Sequence, residues 1–363
     1  MKIAIFGGSF DPIHIGHVKI AQYAIENLKL DKLIFVPTNI SPFKLKSKPA
    51  SNLDRLNMIK LICKNKMEVS DFEIKRNGPS YTIDTVKYFA RKYPNDQLYL
   101  IIGSDNVSKL HKWENIELIS KLVQIVVFKR DAKINKTNIK KFNAMLLNNP
   151  IWKISSTEIR GGNLNFLDLK VLNYIQNNNL YLEKIIHSTL SALRAKHCMS
   201  TGNFAAEMAK KFNVNAKQAY LAGILHDIAK EWSEEDSRNY INYFEPSFKD
   251  VQKHELHQIC GYIWAKHWYK LQDPEILHAI LVHTTLDDGT DSDLSKLDKI
   301  LFISDKISNG RRFEGIQKLR KLAFEDLDQA FSKVVEYVYN YNLNKNVKFS
   351  ERQEKIYRKY LSK

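Results

Sequence analysis

Apolar positions along the first half of the chain alternate between two patterns. Lys2 to Phe6 is a near-continuous apolar run that predicts a buried strand, and Ile15, Val18, Ala21, Ile25 and Leu28 then recur at helical spacing. Leu33 to Val36 predicts a second strand stopped by Pro37, and Ser51 is placed to cap a helix carrying Leu53, Leu56, Ile59 and Ile62. Ser80 to Tyr93 reads as a helix, Leu98 to Ile102 as a central strand and Val123 to Phe128 as another. Ser155-Ser156-Thr157 opens a short helix containing Glu158 and Arg160. Strand and helix in alternation predict an α/β Rossmann-like domain over 1–183, a parallel sheet with helices on both faces. Leu172 to Tyr181 reads as its closing helix and tail, and Glu183 to Ser188 as a junction. Past the junction, strand alternation vanishes and helical spacing runs on, which predicts an all-α bundle over 187–363.

In an open parallel sheet the ligand sits beyond the strand C-termini. The loops Gly7–His17, Pro37–Lys44, Gly103–Asp105 and Ser155–Arg160 all follow strands, so one crevice is expected to gather them. Gly7 and Gly8 let backbone N–H groups approach a ligand, and the helix N-terminus that follows Ser9-Phe10 favours phosphate. His14 and His17 lie three apart, on one helical face over that turn. Two imidazoles beside two glycines suit a triphosphate cut between its α and β phosphorus atoms.

Composition narrows the setting. The 363 residues suit two domains, and 44% hydrophobic content is enough for real cores. Three cysteines, Cys63, Cys198 and Cys260, are few, odd in number and far apart, which argues for a reducing, cytoplasmic location rather than a disulfide framework. Asp11 interrupts any signal-like run, and no apolar stretch is long enough to span a membrane. The formal charge is +16, but the lysines are scattered among acids. Without a one-sided basic stripe or interleaved aromatics, nucleic acid is not the expected partner. The sequence leaves the oligomeric state open.

Gly-Gly-Ser-Phe-Asp-Pro-x-His-x-Gly-His at 7–17 and Ile-Ser-Ser-Thr-x-Ile-Arg at 154–160 resemble the signatures of the nucleotidyltransferase superfamily. Gly78-Pro79-Ser80-Tyr81-Thr82 with Asp84-Thr85, Ile101 to Asp105 and Lys112-Trp113 resemble the bacterial nicotinate mononucleotide adenylyltransferases more narrowly. The resemblance implies ATP plus nicotinate mononucleotide giving deamido-NAD and pyrophosphate, with Mg²⁺. The attacking phosphate is already a nucleophile, so positioning and charge neutralisation suffice. In that scheme His14 and His17 donate to phosphate, and Lys44 and Arg160 balance charge. Ser156 and Thr157 add donors at a helix N-terminus, Ser104-Asp105 contact the nucleotide, and Thr82 with Trp113 forms the nicotinate pocket. Two departures stand out. Phe43 occupies a position where the family often has His, and Glu114 follows Trp113 where an aromatic is common. Both bear on the preference for acid over amide.

The helical half places polar residues at apolar positions. His226-Asp227 interrupts Ala222 to Ala229, and His197, His257, His283 and Asp305 fall on other predicted helices. Imidazoles and carboxylates projecting inward from separate helices are how bundles build dinuclear metal sites. Asp227 is placed to bridge two metals. The order and contexts, Arg194-x-x-His197, His226-Asp227-x-Ala-Lys230, His257-x-x-x-Gly261 and His283-Thr284-Thr285, resemble HD-domain phosphohydrolases. They are similar to the branch that splits diadenosine tetraphosphate symmetrically into two ADP at two iron, or manganese, ions. Arg194, Lys230 and Arg311 or Arg312 are candidate phosphate contacts, and His254 is a candidate rim group. Guanosine alarmones, cyclic dinucleotides and a regulatory or nucleic-acid-binding role remain open for this half.

Overall fold

In the computed structural model, Lys2–Gly8 forms strand β1 and Ile15–Asn27 forms helix α1. They are followed by β2 (Lys32–Pro37), α2 (Asn52–Ile62), β3 (Met67–Val69), α3 (Thr82–Lys92), β4 (Gln97–Gly103), β5 (Gln124–Phe128), β6 (Met145–Leu146) and α4 (Ser156–Arg160). The structure describes residues 1–40, 49–76, 78–131, 134, 136–290 and 292–361. It divides into two compact units, Met1–Tyr181 and Leu182–Lys363.

The first unit is a six-stranded sheet in the order β3-β2-β1-β4-β5-β6, with every pairing parallel. The chain runs outward from β1 to β3, then returns to lay β4 on the other side of β1. That reversal is a topological switch point, where the loops after β1 and β4 part to leave a crevice. Ile3, Ile5, Ile34, Val36, Leu98 and Leu100 pack one face against Ile83, Val86 and Phe89 of α3. Their alternates Ala4, Phe6, Leu33 and Phe35 are buried too, so both faces are covered. Strands buried on both faces read as continuous apolar runs, which is why β1, β2, β4 and β5 were visible in the sequence. β3 and β6, of three and two residues, were not expected; so short a segment carries no period.

Three expectations are corrected. Helix α2 is capped by Ser51, whose side chain accepts from Asp54 N–H, but its buried face is Arg55, Met58, Ile59 and Ile62, while Leu53 is 64% exposed. The helix is rotated to bury a guanidinium that holds the β1 loop. Helix α3 begins at Thr82, not Ser80: Ser80 follows the isolated bridge of Pro79 to Ile40, its N–H on Ile40 O and its hydroxyl accepting from Asn39 N–H. The segment 183–188, expected as a short junction, is helical: it lies directly after the division at 181/182, inside helix α5 (Leu182–Thr189), whose Leu182, Ile185 and Ile186 are buried.

The second unit is built of helices, with α6 (Ala192–Lys211), α7 (Ala216–Leu225), α8 (Leu256–His267), α9 (Pro274–Val282), α10 (Lys296–Ile307), α11 (Leu327–Asn344) and α12 (Glu351–Leu361) as its main members. Polar caps set their starts: Ser191 for α6, Asn215 for α7, Asp273 ahead of Pro274 for α9, and a reciprocal Ser295–Asp298 box for α10. Helices α6 and α7 touch backbone to backbone: a Cβ on Gly223 would lie 2.7 Å from Gly202 Cα. Among the described residues no helix is long and apolar enough to cross a membrane.

Candidate active sites

At the switch point, His14 caps α1 and His17 sits in its first turn. Their rings lie face to face, with centroids 3.7 Å apart. The His14 backbone N–H donates to His17 Nδ1 at 3.2 Å, which leaves the ring proton of a neutral His17 on Nε2. Burial, helped by the Arg130 charge, pushes His14 down to about 3. Burial, then His14 and Arg130, hold His17 well below its ordinary value. Both rings are therefore neutral near pH 7. Both His14 nitrogens are buried without a partner among the described residues. Above Gly7 nothing lies within 4 Å of where a Cβ would stand, which leaves room for a ligand to approach the backbone.

Helix α4 folds back onto this loop. Ser155, not Ser156, is its cap, in a reciprocal box with Glu158. Ser156 Oγ donates to Pro12 O at 3.0 Å. The Arg160 guanidinium donates to the Asp11 carbonyl and lies 3.6 Å from its carboxylate, and Arg160 Nη2 donates to Thr157 Oγ1 at 3.2 Å. Asp11 Oδ1 also accepts from Tyr181 Oη at 2.8 Å and Ala50 N at 3.0 Å. Ser104 Oγ accepts from Arg130 N at 3.0 Å, and Asp105 pairs with Arg130 at 3.2 Å. Thr82 begins α3 and is half-buried, and Trp113 packs half-buried against the core beneath. Lys44 and Phe43 lie outside the described residues. Sequence reasoning missed Asp11, Arg55, Arg130 and Tyr181 as site-building groups. The Asp-Pro of the first motif was the available signal for Asp11; Arg55 and Tyr181 carried none.

In the second unit six side chains from five places converge. His197 on α6 and Asp305 on α10 meet at 2.9 Å, and His226 Nε2 is 3.5 Å from both Asp227 Oδ2 and Asp305 Oδ1. His257 on α8 and His283, just past α9, face the other oxygen: their Nε2 atoms lie 3.6 and 3.7 Å from Asp227 Oδ1. His226 and His283 occupy helix C-caps. There each Nδ1–H donates to a carbonyl three residues back, Gly223 O and Ile280 O, at 2.7 Å. Helix ends leave such carbonyls without intrahelical partners. The bond fixes Nδ1 as the donor, and each Nε2 is left buried and without a hydrogen-bond partner, aimed into the cluster. Two overlapping groups, His197–His226–Asp305 and His226–Asp227–His283, have donor atoms close enough to hold a metal ion.

Four cations surround this cluster. Arg194 Nη1 is 2.8 Å from Asp227 Oδ2, Lys230 Nζ is 2.9 Å from His257 Nε2, Lys306 pairs with Asp305, and Arg311 Nη2 is 3.1 Å from Asp305 Oδ1. Burial opposes ionisation of Asp227, but His226, His283 and Lys230 outweigh it and hold the carboxyl well below its usual range. Burial, then the His283 and Lys230 charges, take His257 down to about 2. His254, His267 and His278 stay outside, paired with Gln353, Glu245, and Asp298 with Asp288. Cys260 Sγ points to Ser237 O at 3.6 Å, away from the cluster.

A parallel sheet with a phosphate-ready loop at its switch point, joined to a helical cage of histidine and aspartate, defines a two-part nucleotide enzyme class. Residues 5–162 match the Cytidylyltransferase-like family and residues 194–310 the HD domain. Over 356 residues the chain is 36% identical to a Mycoplasma genitalium protein named "Probable nicotinate-nucleotide adenylyltransferase/Ap4A hydrolase", covering 93% of this chain and 98% of that one. The Mycoplasma pneumoniae protein of the same name is also 36% identical over 356 residues, with 94% and 100% covered. The Clostridium tetani "Probable nicotinate-nucleotide adenylyltransferase" is 41% identical over 170 residues, 44% of this chain and 85% of its own. The chain belongs to the family of two-part proteins that the Mycoplasma sequences represent.

Proposed function

We propose that the first unit transfers AMP from ATP to nicotinate mononucleotide, and that the second hydrolyses diadenosine tetraphosphate to two ADP. The observation that carries the reading is Asp227, whose two oxygens face separate histidine pairs, in one chain with a complete nucleotidyltransferase loop. The names borne by the two Mycoplasma relatives support the same pair of reactions.

In the first reaction a phosphate oxygen of the mononucleotide forms a bond to the α-phosphorus of ATP. The bond to the bridging oxygen breaks, and pyrophosphate leaves. His17, neutral with its proton on Nε2, donates to the polyphosphate, and His14 beside it supplies a second N–H. Arg160 and Lys44 offset the charge of the leaving group. Ser156, Thr157 and the Gly7–Phe10 loop position the phosphates, Ser104 and Asp105 the nucleotide, and Thr82 and Trp113 the pyridine. Asp11 and Asp105 are already engaged by Arg160 and Arg130, so Mg²⁺ enters with the triphosphate rather than on a protein cage.

In the second unit His197, His226, Asp305 and Asp227 Oδ2 would hold one metal ion, and Asp227 Oδ1, His257 and His283 another. An imidazole and carboxylate set with unpartnered buried Nε2 atoms fits iron or manganese. Ions bound there would supply activation of water and offset phosphate charge. Arg194 and Lys230 hold the polyphosphate across the cluster. Three free cysteines fit a cytoplasmic location.

The test uses the whole chain. With ATP, Mg²⁺ and nicotinate mononucleotide it should form deamido-NAD and pyrophosphate. With Fe²⁺ or Mn²⁺ it should convert diadenosine tetraphosphate to ADP alone. AMP plus ATP as products would reject symmetrical cleavage, and turnover of only an alarmone or cyclic dinucleotide would reject the substrate.

A further inference from the structure

Arg55 is buried to 1% exposure, yet its three hydrogen bonds go to neutral acceptors rather than to a carboxylate. Nη1 donates to Ser9 O at 2.7 Å, Nε to Ala50 O at 3.3 Å, and Nη2 to Asn52 Oδ1. Burying a cation this way is costly, so something must use it. The chain of bonds continues. Asn52 Nδ2 donates to Asn39 Oδ1, and Asn39 Nδ2 donates to Arg76 O and Gly78 O, each at 3.2 Å. Asn39 N–H then donates to Ser80 Oγ at 3.0 Å, two residues before Thr82.

The direction of this chain is forced from one end. A guanidinium only donates, so Asn52 must turn its oxygen to Arg55 and its NH₂ to Asn39. Asn39 must then accept with its oxygen, which turns its own NH₂ to the two carbonyls. Each amide orientation follows from the one before. Arg55 thereby links the Ser9 carbonyl, in the loop that receives ATP in the proposed reaction, to the main chain that leads into the nicotinate pocket.

We propose that Arg55, Asn52 and Asn39 are positioning residues that lock the main chain at Arg76, Gly78 and Ser80 to the Gly7–Phe10 loop, so that the mononucleotide pocket is set by a side-chain relay from the ATP loop. The proposal rests on the reading of the first unit as an adenylyltransferase. None of the three residues touches a reacting atom.

Asn52→Asp is the informative change. It keeps an acceptor for Arg55 but presents a carboxylate oxygen to Asn39 Oδ1, which forces Asn39 to flip and set its oxygen against the Arg76 and Gly78 carbonyls. Losing the bonds to that segment should raise KM for nicotinate mononucleotide about tenfold, while KM for ATP stays within twofold. Asn39→Asp should do the same by itself. The double alanine variant, Asn39→Ala with Asn52→Ala, should be no worse than either single alanine variant, because the relay is already broken. The unchanged KM for ATP in the same preparations reports that the first unit is folded. Equal rises in both KM values, an unchanged KM for the mononucleotide, or additive effects in the double variant would each overturn the relay. A wild-type chain that forms no deamido-NAD would reject the adenylyltransferase reading itself, which is a separate outcome.

Discussion

Gly223→Ala should loosen the proposed metal cage without entering it. In an ordinary helix this change gains about 1 kcal/mol. Here the new Cβ would stand 2.7 Å from Gly202 Cα, 2.8 Å from Gly202 N and 3.0 Å from the Thr201 carbonyl carbon, all backbone atoms of α6. Carbon atoms in contact prefer about 3.5–4.0 Å, so the helices must part by roughly 1 Å and forfeit a quarter to a half of each dispersion contact along the seam. Overpacking of this kind costs about 1–3 kcal/mol. For a unit of this size each kcal/mol is worth roughly 2–4 °C in Tm. Helix α6 carries His197, and α7 ends in His226, whose Nδ1–H bonds Gly223 O itself. Parting the helices should therefore shift His197 relative to His226 and weaken metal binding by about tenfold or more, comparable to an outer-shell perturbation. Melting followed by calorimetry, with and without Mn²⁺, and titration calorimetry with Mn²⁺ are the assays. An unchanged or raised Tm together with unchanged Mn²⁺ affinity would refute the reasoning.

Three further outcomes are expected. His17→Ala should leave the fold intact and cut adenylyl transfer by roughly 10²-fold or more, as loss of one preorganised donor does; near-normal turnover would remove His17 from the site. Asp227→Ala, or chelation of the wild type, should abolish hydrolysis of diadenosine tetraphosphate and spare deamido-NAD synthesis, and loss of both activities would contradict independent sites. The side-chain bond to Asp298, with Asp288 nearby, raises His278 to about 9 despite partial burial. A raised folded-state value stabilises fully below the unfolded value of about 6.5 and is lost as pH climbs through 9. The Tm gap between wild type and His278→Gln should thus be wide at pH 6 and narrow at pH 9.5; a constant gap would show that the charge contributes nothing.

The histidine–aspartate cluster was legible because its members break a pattern. His226 and Asp227 stand inside an apolar run, and so does Asp305; a polar group in such a place needs a partner to offset its burial. The sheet was legible for the same kind of reason, since β1, β2, β4 and β5 are apolar on both faces. The groups that were missed act on residues far away in the sequence. Arg55 holds the Ser9 carbonyl, and Tyr181, 170 residues from Asp11, bonds its carboxylate. No spacing rule along the chain reports a bond between residues so far apart. The face of α2 was misread because Leu53 and Arg55 exchanged the burial that their side chains suggest. Segment 183–188 was too short to show its period.

The two imidazoles anchored by their own helix ends have an unusual immunity. Gly223 O and Ile280 O are main-chain atoms, so no side-chain replacement can take them away from His226 and His283. What can release the rings is unwinding of the last turn of α7 or α9. Ligand release and fraying of those turns should then be one event, visible as amide exchange near 223–226 and 280–283 that slows in step with metal occupancy.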